Sequence, residues 1–295
     1  MRRLLVTTVA LLAICVMGTV PILGGARLQA RVPRRIISLV PALTEMLFAM
    51  GAGPQVVGVS SYDSFPPEAA SRPQVGALLD PDVERIFSLT PDLVITYGSQ
   101  SDLRQQLERA SIPVFDYRHA GLADVLTTLR ALGRATGHDA EAGRLASAIE
   151  RRLDAVKART AAAPAPRTLL VFGREPGSLR NMYVSGGTGF LHDMLGVAGG
   201  ENVFADVARE SVQATTELIL ARAPDVIIEV REGPALSDAD VRARTADWDH
   251  LAAVPAVRAR RVHIVSGTGL VVPGPRVASA VERLAGVLHP ARQAP

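Results

Sequence analysis

The sequence predicts an α/β protein of two lobes with mainly parallel sheets, joined by one long helix, with a ligand cleft between the lobes. Three observations predict it. Apolar strands alternate with helices of about ten residues in two separate series, the pattern of βα units. Between the series, residues 122–160 carry helical spacing without a β-branched cluster. Finally, part of the first series recurs in the second.

Taken in order, Arg2 and Arg3 precede a nearly uncharged apolar run to Ala26, then Arg27, which reads as an export signal with cleavage after Ala26 or Ala30. The run is near spanning length, so a retained N-terminal membrane anchor is the alternative for residues 1–30. Cys15 follows a bulky Ile14, which disfavours lipidation, and cleavage leaves a chain without cysteine. That excludes disulfides and cysteine-ligated metals from the mature protein.

The first lobe, residues 31–137, opens with a strand at 35–40, a helix at 42–50 stopped by Gly51, and a strand at 56–59. Asp82 caps a helix to Leu89, Pro91 ends it and 92–97 is a strand; 102–110 is a helix and 113–117 a strand. A shorter helix from Leu122 and a long one at 140–160, about 30 Å in length, lead to residues 138–163 as the connecting helix. The second lobe, 164–295, has strands at 167–172, near Tyr183, at 225–230 and at 261–265, with helices at 190–197, 216–223 and 275–288.

Val83-Glu84-Arg85-Ile86 with Pro91-Asp92-Leu93-Val94-Ile95 matches Thr216-Glu217-Leu218-Ile219 with Pro224-Asp225-Val226-Ile227-Ile228 at one constant spacing. Each copy is a helix, a proline stop and a buried strand, so the lobes are read as related and facing each other.

Of the 295 residues, 48% are hydrophobic and 21% charged, which excludes disorder and a polytopic membrane protein. The net charge of +3 is carried by scattered arginines, Lys157 being the sole lysine, so nucleic acid is not an expected partner. No Gly-x-Ser-x-Gly elbow or P-loop lysine occurs, and the six histidines show no paired metal-ligand spacing. No catalytic residue, resident metal or cofactor is expected, although a secreted α/β enzyme and a tethered sensor remain open at this point. The loop 60–67 after a strand, with Tyr62 and Asp63, together with Tyr97 and Tyr183 at strand ends, suits a large, partly polar ligand. Arg174 and Arg180 could reach an acidic one.

Arg35-Ile36-Ile37-Ser38-Leu39, Pro41-Ala42-Leu43-Thr44-Glu45, Val57-Gly58-Val59-Ser60-Ser61-Tyr62 and Pro66-Pro67, with the repeated segments, Gly199-Gly200-Glu201-Asn202-Val203-Phe204 and Pro275-Arg276-Val277, resemble the periplasmic cobalamin, ferric-siderophore and haem receptor family of ABC importers. The resemblance covers essentially all of the mature chain. It implies two α/β lobes on a rigid backbone helix, a non-enzymatic monomer in the periplasm, and a ligand that is a cobalt corrinoid or, alternatively, a ferric siderophore or haem. It also implies docking on an inner-membrane permease dimer through one glutamate per lobe, by position Glu84 and Glu217. In the cleft, Tyr62 matches an aromatic position, Tyr97 stands where a tryptophan is found, and Tyr183 falls near a phenylalanine. Leu78 and Ser211 replace tryptophans, and Thr268 falls where an aspartate is expected.

Overall fold

Buried apolar strands set the first sheet. The computed structural model describes residues 31–290, and the expected export signal, its cleavage positions and Cys15 lie outside the described residues. The first half comprises β1 (Ile36–Ser38), α1 (Pro41–Ala49), β2 (Val56–Val59), α2 (Pro67–Ala70), α3 (Val83–Ser88), β3 (Leu93–Tyr97), α4 (Ser101–Arg109) and β4 (Val114–Tyr117). The strands form a parallel sheet in the order β2-β1-β3-β4. Every residue of β1 is buried, and so are the first four of β3, as expected of parallel strands covered on both faces.

Two helices follow, α5 (Leu122–Thr136) and α6 (Asp139–Thr160). Gly137 separates them in the left-handed conformation, φ +79°, which closes α5 without a Cβ penalty. At 22 residues α6 is about 33 Å long. Its buried face, Ala142, Ala146, Ile149, Leu153 and Val156, joins one core cluster with Ile36 and Ile95 of the first sheet and Leu170 and Ile228 of the second half. Arg130–Glu150 ties α5 to α6 at 2.7 Å. From Val32 to residue 290 the chain is one compact unit, because this core runs through both halves.

The second half contains β5 (Arg167–Gly173), β6 (Met182–Ser185), α7 (Phe190–Val197), β7 (Glu201–Asn202), β8 (Ser211–Ala214), α8 (Thr216–Arg222), β9 (Val226–Glu232), α9 (Asp238–Ala246), α10 (Pro255–Arg258), β10 (Val262–Gly267) and α11 (Val277–Leu288). Arg152 of α6 makes a bidentate pair with Glu282 of α11, at 2.9 and 2.7 Å. The six-stranded sheet runs β10-β9-β5-β6-β8, with β7 also on β5. β10, β9, β5 and β7 are parallel, whereas β6 and β8 are antiparallel. The chain returns from β5 to β6 through a short loop, too short for the crossover that a parallel strand needs. The periodicity missed residues 238–258 as structured; they bring Trp248, wholly buried, into the second core cluster.

The repeat has a physical basis beyond the apolar pattern. Asp92 accepts the backbone N–H groups of Arg34 and Arg35, and the Arg35 guanidinium donates to the carbonyls of Leu89 and Thr90. In the second half Asp225 accepts the N–H of Arg167, whose guanidinium donates to the carbonyls of Arg222 and Ala223. One arginine and one aspartate thus bracket the same helix-to-strand turn in each half, satisfying the last carbonyls of α3 and α8.

Candidate functional site

In the first sheet the chain passes from β1 to β2 on one side and returns to β3 on the other. The carboxyl ends of β1 and β3 therefore flank a switch point, where open α/β sheets leave a crevice. Tyr97 ends β3 there and Tyr117 ends β4 beside it. Their ring centroids are 6.0 Å apart; Tyr117 lies 6.3 Å from His119, and His119 lies 6.0 Å, edge to face, from Phe190. Phe190 is the first residue of α7, so this aromatic row crosses from one half of the chain to the other.

The Tyr117 hydroxyl is 3.0 Å from His119 Nδ1. Burial, followed by the neighbouring Tyr97, Asp124 and Glu210, raises the Tyr117 phenol well above its ordinary value. It stays protonated, and shares one hydrogen bond with Nδ1 whose direction follows the imidazole tautomer. Tyr97, Ser99, Tyr117, Arg118 and His119 line a cavity of about 360 Å³. Its walls are flat rings edged by hydroxyl and imidazole groups and by the Arg118 side chain. Arg118, mostly exposed, sits 3.6 Å from Asp116, which offsets its charge.

Tyr62, Asp63 and Leu78 stand at the same end of the sheet as Tyr97. The N–H of Ser61 donates to the Gly76 carbonyl at 2.8 Å, joining loop 60–67 to the turn that carries Leu78. Gln100 accepts the Tyr97 N–H at 3.0 Å and donates to the Leu78 carbonyl at 3.2 Å. Tyr62 is 76% exposed, free to offer its ring to a ligand. Asp63 is buried. Its Oδ2 accepts the Ser60 N–H at 2.8 Å, and no hydrogen bond within the described residues reaches Oδ1. Burial pushes its pKa up to about 7; the Glu45 charge adds to the shift, while the Thr44 hydroxyl and Ser60 N–H oppose it.

The second-half residues do not converge in the same way. Tyr183 is exposed on β6 and packs against Phe172, with centroids 6.4 Å apart. Ser211 opens β8 opposite Ser185. Thr268 follows β10 and accepts a hydrogen bond from Arg276 at 2.9 Å. The expectation that Arg174 meets a ligand is corrected. Its side chain is fully buried, paired with Glu229 at 2.8 Å and Asp247 at 2.7 Å, and it also donates to the carbonyls of Ser178 and Arg244. A guanidinium so occupied would have to abandon buried carboxylates to reach a ligand. Arg180 is exposed and pairs with Glu175 at 3.0 Å.

Sequence reasoning passed over Tyr117, His119 and Phe190. Tyr117 carried the same signal as Tyr97, a tyrosine closing an apolar strand, whereas His119 and Phe190 meet only through the tertiary fold. Glu84 and Glu217 occupy matching places. Each is the exposed second residue of a short helix, α3 or α8, behind a capping side chain, Asp82 or Thr215. Among the described residues no group of three His, Cys, Asp or Glu side chains could hold a metal, and no helix is long and apolar enough to cross a membrane.

A family pattern described as "Periplasmic binding protein" matches residues 36–266. The vitamin B12-binding protein of Yersinia pestis (strain Pestoides F) is 30% identical over 203 residues, 68% of this chain and 71% of that one. Among solved structures, the periplasmic vitamin B12 binding protein BtuF of Vibrio cholerae superposes with a TM-score of 0.74 at 25% identity, covering 87% of this chain and 97% of that one. The periplasmic heme-binding protein RhuT from Roseiflexus sp. RS-1 does so with a TM-score of 0.71 at 28% identity, covering 86% and 97%.

Proposed function

Because this chain belongs to the periplasmic binding protein family, we propose that it captures a corrinoid of the cobalamin type at the aromatic end of its first sheet and hands it to an ABC importer. It binds without catalysis and without a resident cofactor, working as a monomer in the periplasm. The observation that carries the reading is the row Tyr97, Tyr117, His119 and Phe190, which lines the junction of the two halves with rings and hydrogen-bonding groups. A corrinoid presents a broad apolar face edged by uncharged amides, which rings, a phenol and an imidazole N–H match. Arg174, withdrawn into its own ion pairs, is out of reach of a ligand carboxylate.

The second reading is haem. It is favoured by the heme-binding RhuT, whose 28% identity exceeds that of the solved B12-binding neighbour. Calorimetric titration with cyanocobalamin and with haemin separates the two. The corrinoid reading requires saturable one-to-one binding of cyanocobalamin that weakens when Tyr97 or Tyr117 is replaced by alanine. Tight haemin binding without cyanocobalamin binding overturns it in favour of the second.

Glu84 and Glu217 are proposed as the contacts with arginines of a two-fold symmetric permease. Their support is the matching helix position and exposure of both. Charge pairs of this kind govern orientation and on-rate more than affinity.

A further inference from the structure

Away from α6, one arginine bridges distant parts of the chain. Arg276 lies just before α11, and its Nε donates to Glu45 Oε2 of α1 at 2.8 Å while Nη2 donates to Oε1. Glu45 is 5% exposed. The third nitrogen, Nη1, donates to Thr268 Oγ1, and the guanidinium lies 4.0 Å from the centroid of the Phe65 ring. Gly269, at φ +80°, makes room for this arrangement, since a Cβ there would fall on the guanidinium. Glu232 folds the surrounding loop independently, accepting the N–H groups of Leu270 at 3.0 Å and Val271 at 3.3 Å.

Phe65 belongs to loop 60–67, the loop that presents Tyr62. We propose that Arg276 is a positioning residue: its flat cationic face holds Phe65, and through it the Tyr62 loop, in register with α1 and the second half of the chain. Two arguments distinguish this from general stabilisation. A buried ion pair gains little net stability over an apolar pair of similar shape, so its defining effect here is registry. In addition, Phe65 and Arg276 share a cavity of about 650 Å³ with Phe48 and Leu145, which gives Phe65 room to swing once the cation is gone. Lysine cannot substitute, because it offers neither the two-nitrogen fork for Glu45 nor the flat face for Phe65. That the positioned loop serves ligand binding rests on the function proposed above; the positioning itself does not.

Amide hydrogen exchange on the ligand-free protein tests the assignment without any ligand. Arg276→Gln is expected to speed exchange at Ser61 and Asp63 by about tenfold or more, leaving Ile149 and Leu153 in α6 unchanged. Arg276→Lys should not restore the slow rate. Phe65→Leu, which leaves the ion pair intact, should give the same local acceleration and carries the test if Arg276→Gln fails to fold. Acceleration spread equally over the loop and α6, or a loop unmoved in Phe65→Leu, overturns the proposal. Local acceleration with no change in cyanocobalamin or haemin release leaves the positioning assignment standing and removes Tyr62 from the ligand site instead.

Discussion

Asp63 makes stability depend on pH in a direction opposite to that of most carboxylates. Its pKa is about 7 in the fold, against 3.8 for an ordinary aspartate. Between those values the folded chain holds a proton that the unfolded chain has lost, so stability is greatest below the unfolded pKa and falls as pH rises toward 7. From pH 5 to pH 8 the unfolded state stays ionised while the folded carboxyl travels about two units to its own pKa, a loss of about 3 kcal/mol at 1.36 kcal/mol per unit. The groups facing it are the Ser60 N–H, the Thr44 hydroxyl, Glu45 and Tyr97, whose phenol is itself raised by burial and then by the Asp63 charge. Asp63→Asn keeps an acceptor for Ser60 and removes the titration. Urea unfolding of both proteins at pH 5 and pH 8 isolates the effect as a difference, cancelling His263, whose lowered pKa acts in the opposite direction. The asparagine variant should gain about 3 kcal/mol on the wild type between the two pH values. A difference below about 1 kcal/mol, or one of opposite sign, refutes the reasoning.

Arg174→Met should cost about 3 kcal/mol, read as a fall in Tm, by leaving Asp247 without its cation while Glu229 keeps Arg244, and affinity per folded molecule stays constant. If Glu84 and Glu217 meet the permease as proposed, reversing both, Glu84→Arg with Glu217→Arg, should abolish transport in a reconstituted importer and leave ligand titrations unchanged, since both side chains are exposed. Gly76 sits at φ +80° in the turn below Leu78, where a Cβ would strike the backbone of Asp80 and Asp82. Gly76→Ala should therefore destabilise the protein by more than about 1 kcal/mol in chemical denaturation.

What could be read from the chain depended on how far apart the cooperating residues lie. Strands such as β3 and helices such as α6 announce themselves within a dozen residues, through continuous burial or a 3.6-residue period. The repeat exposed Glu84 and Glu217 because both copies keep the same local order. Residues 238–246 escaped because α9 buries none of its own residues and so shows no apolar stripe, and 247–258 because their buried residues sit on helical turns too short to show a period. Arg174 misled for a related reason. Its partners Glu229 and Asp247 lie far along the chain, and a loop arginine looks the same whether it faces solvent or buried carboxylates. The aromatic row was half visible, as tyrosines at strand ends; its continuation through His119 to Phe190 needed the two halves to be brought together.

The unbroken core through α6 also bears on traffic at the membrane. Since α3 and α8 are built onto sheets that share that core, the separation of Glu84 and Glu217 is fixed largely by packed side chains rather than by a hinge. A permease gauging its receptor by those two points would find almost the same spacing whether or not the cleft is filled. Empty receptor would then compete with loaded receptor for the same dock, making the ratio of receptor to importer, and not receptor abundance alone, the quantity that sets the rate of uptake.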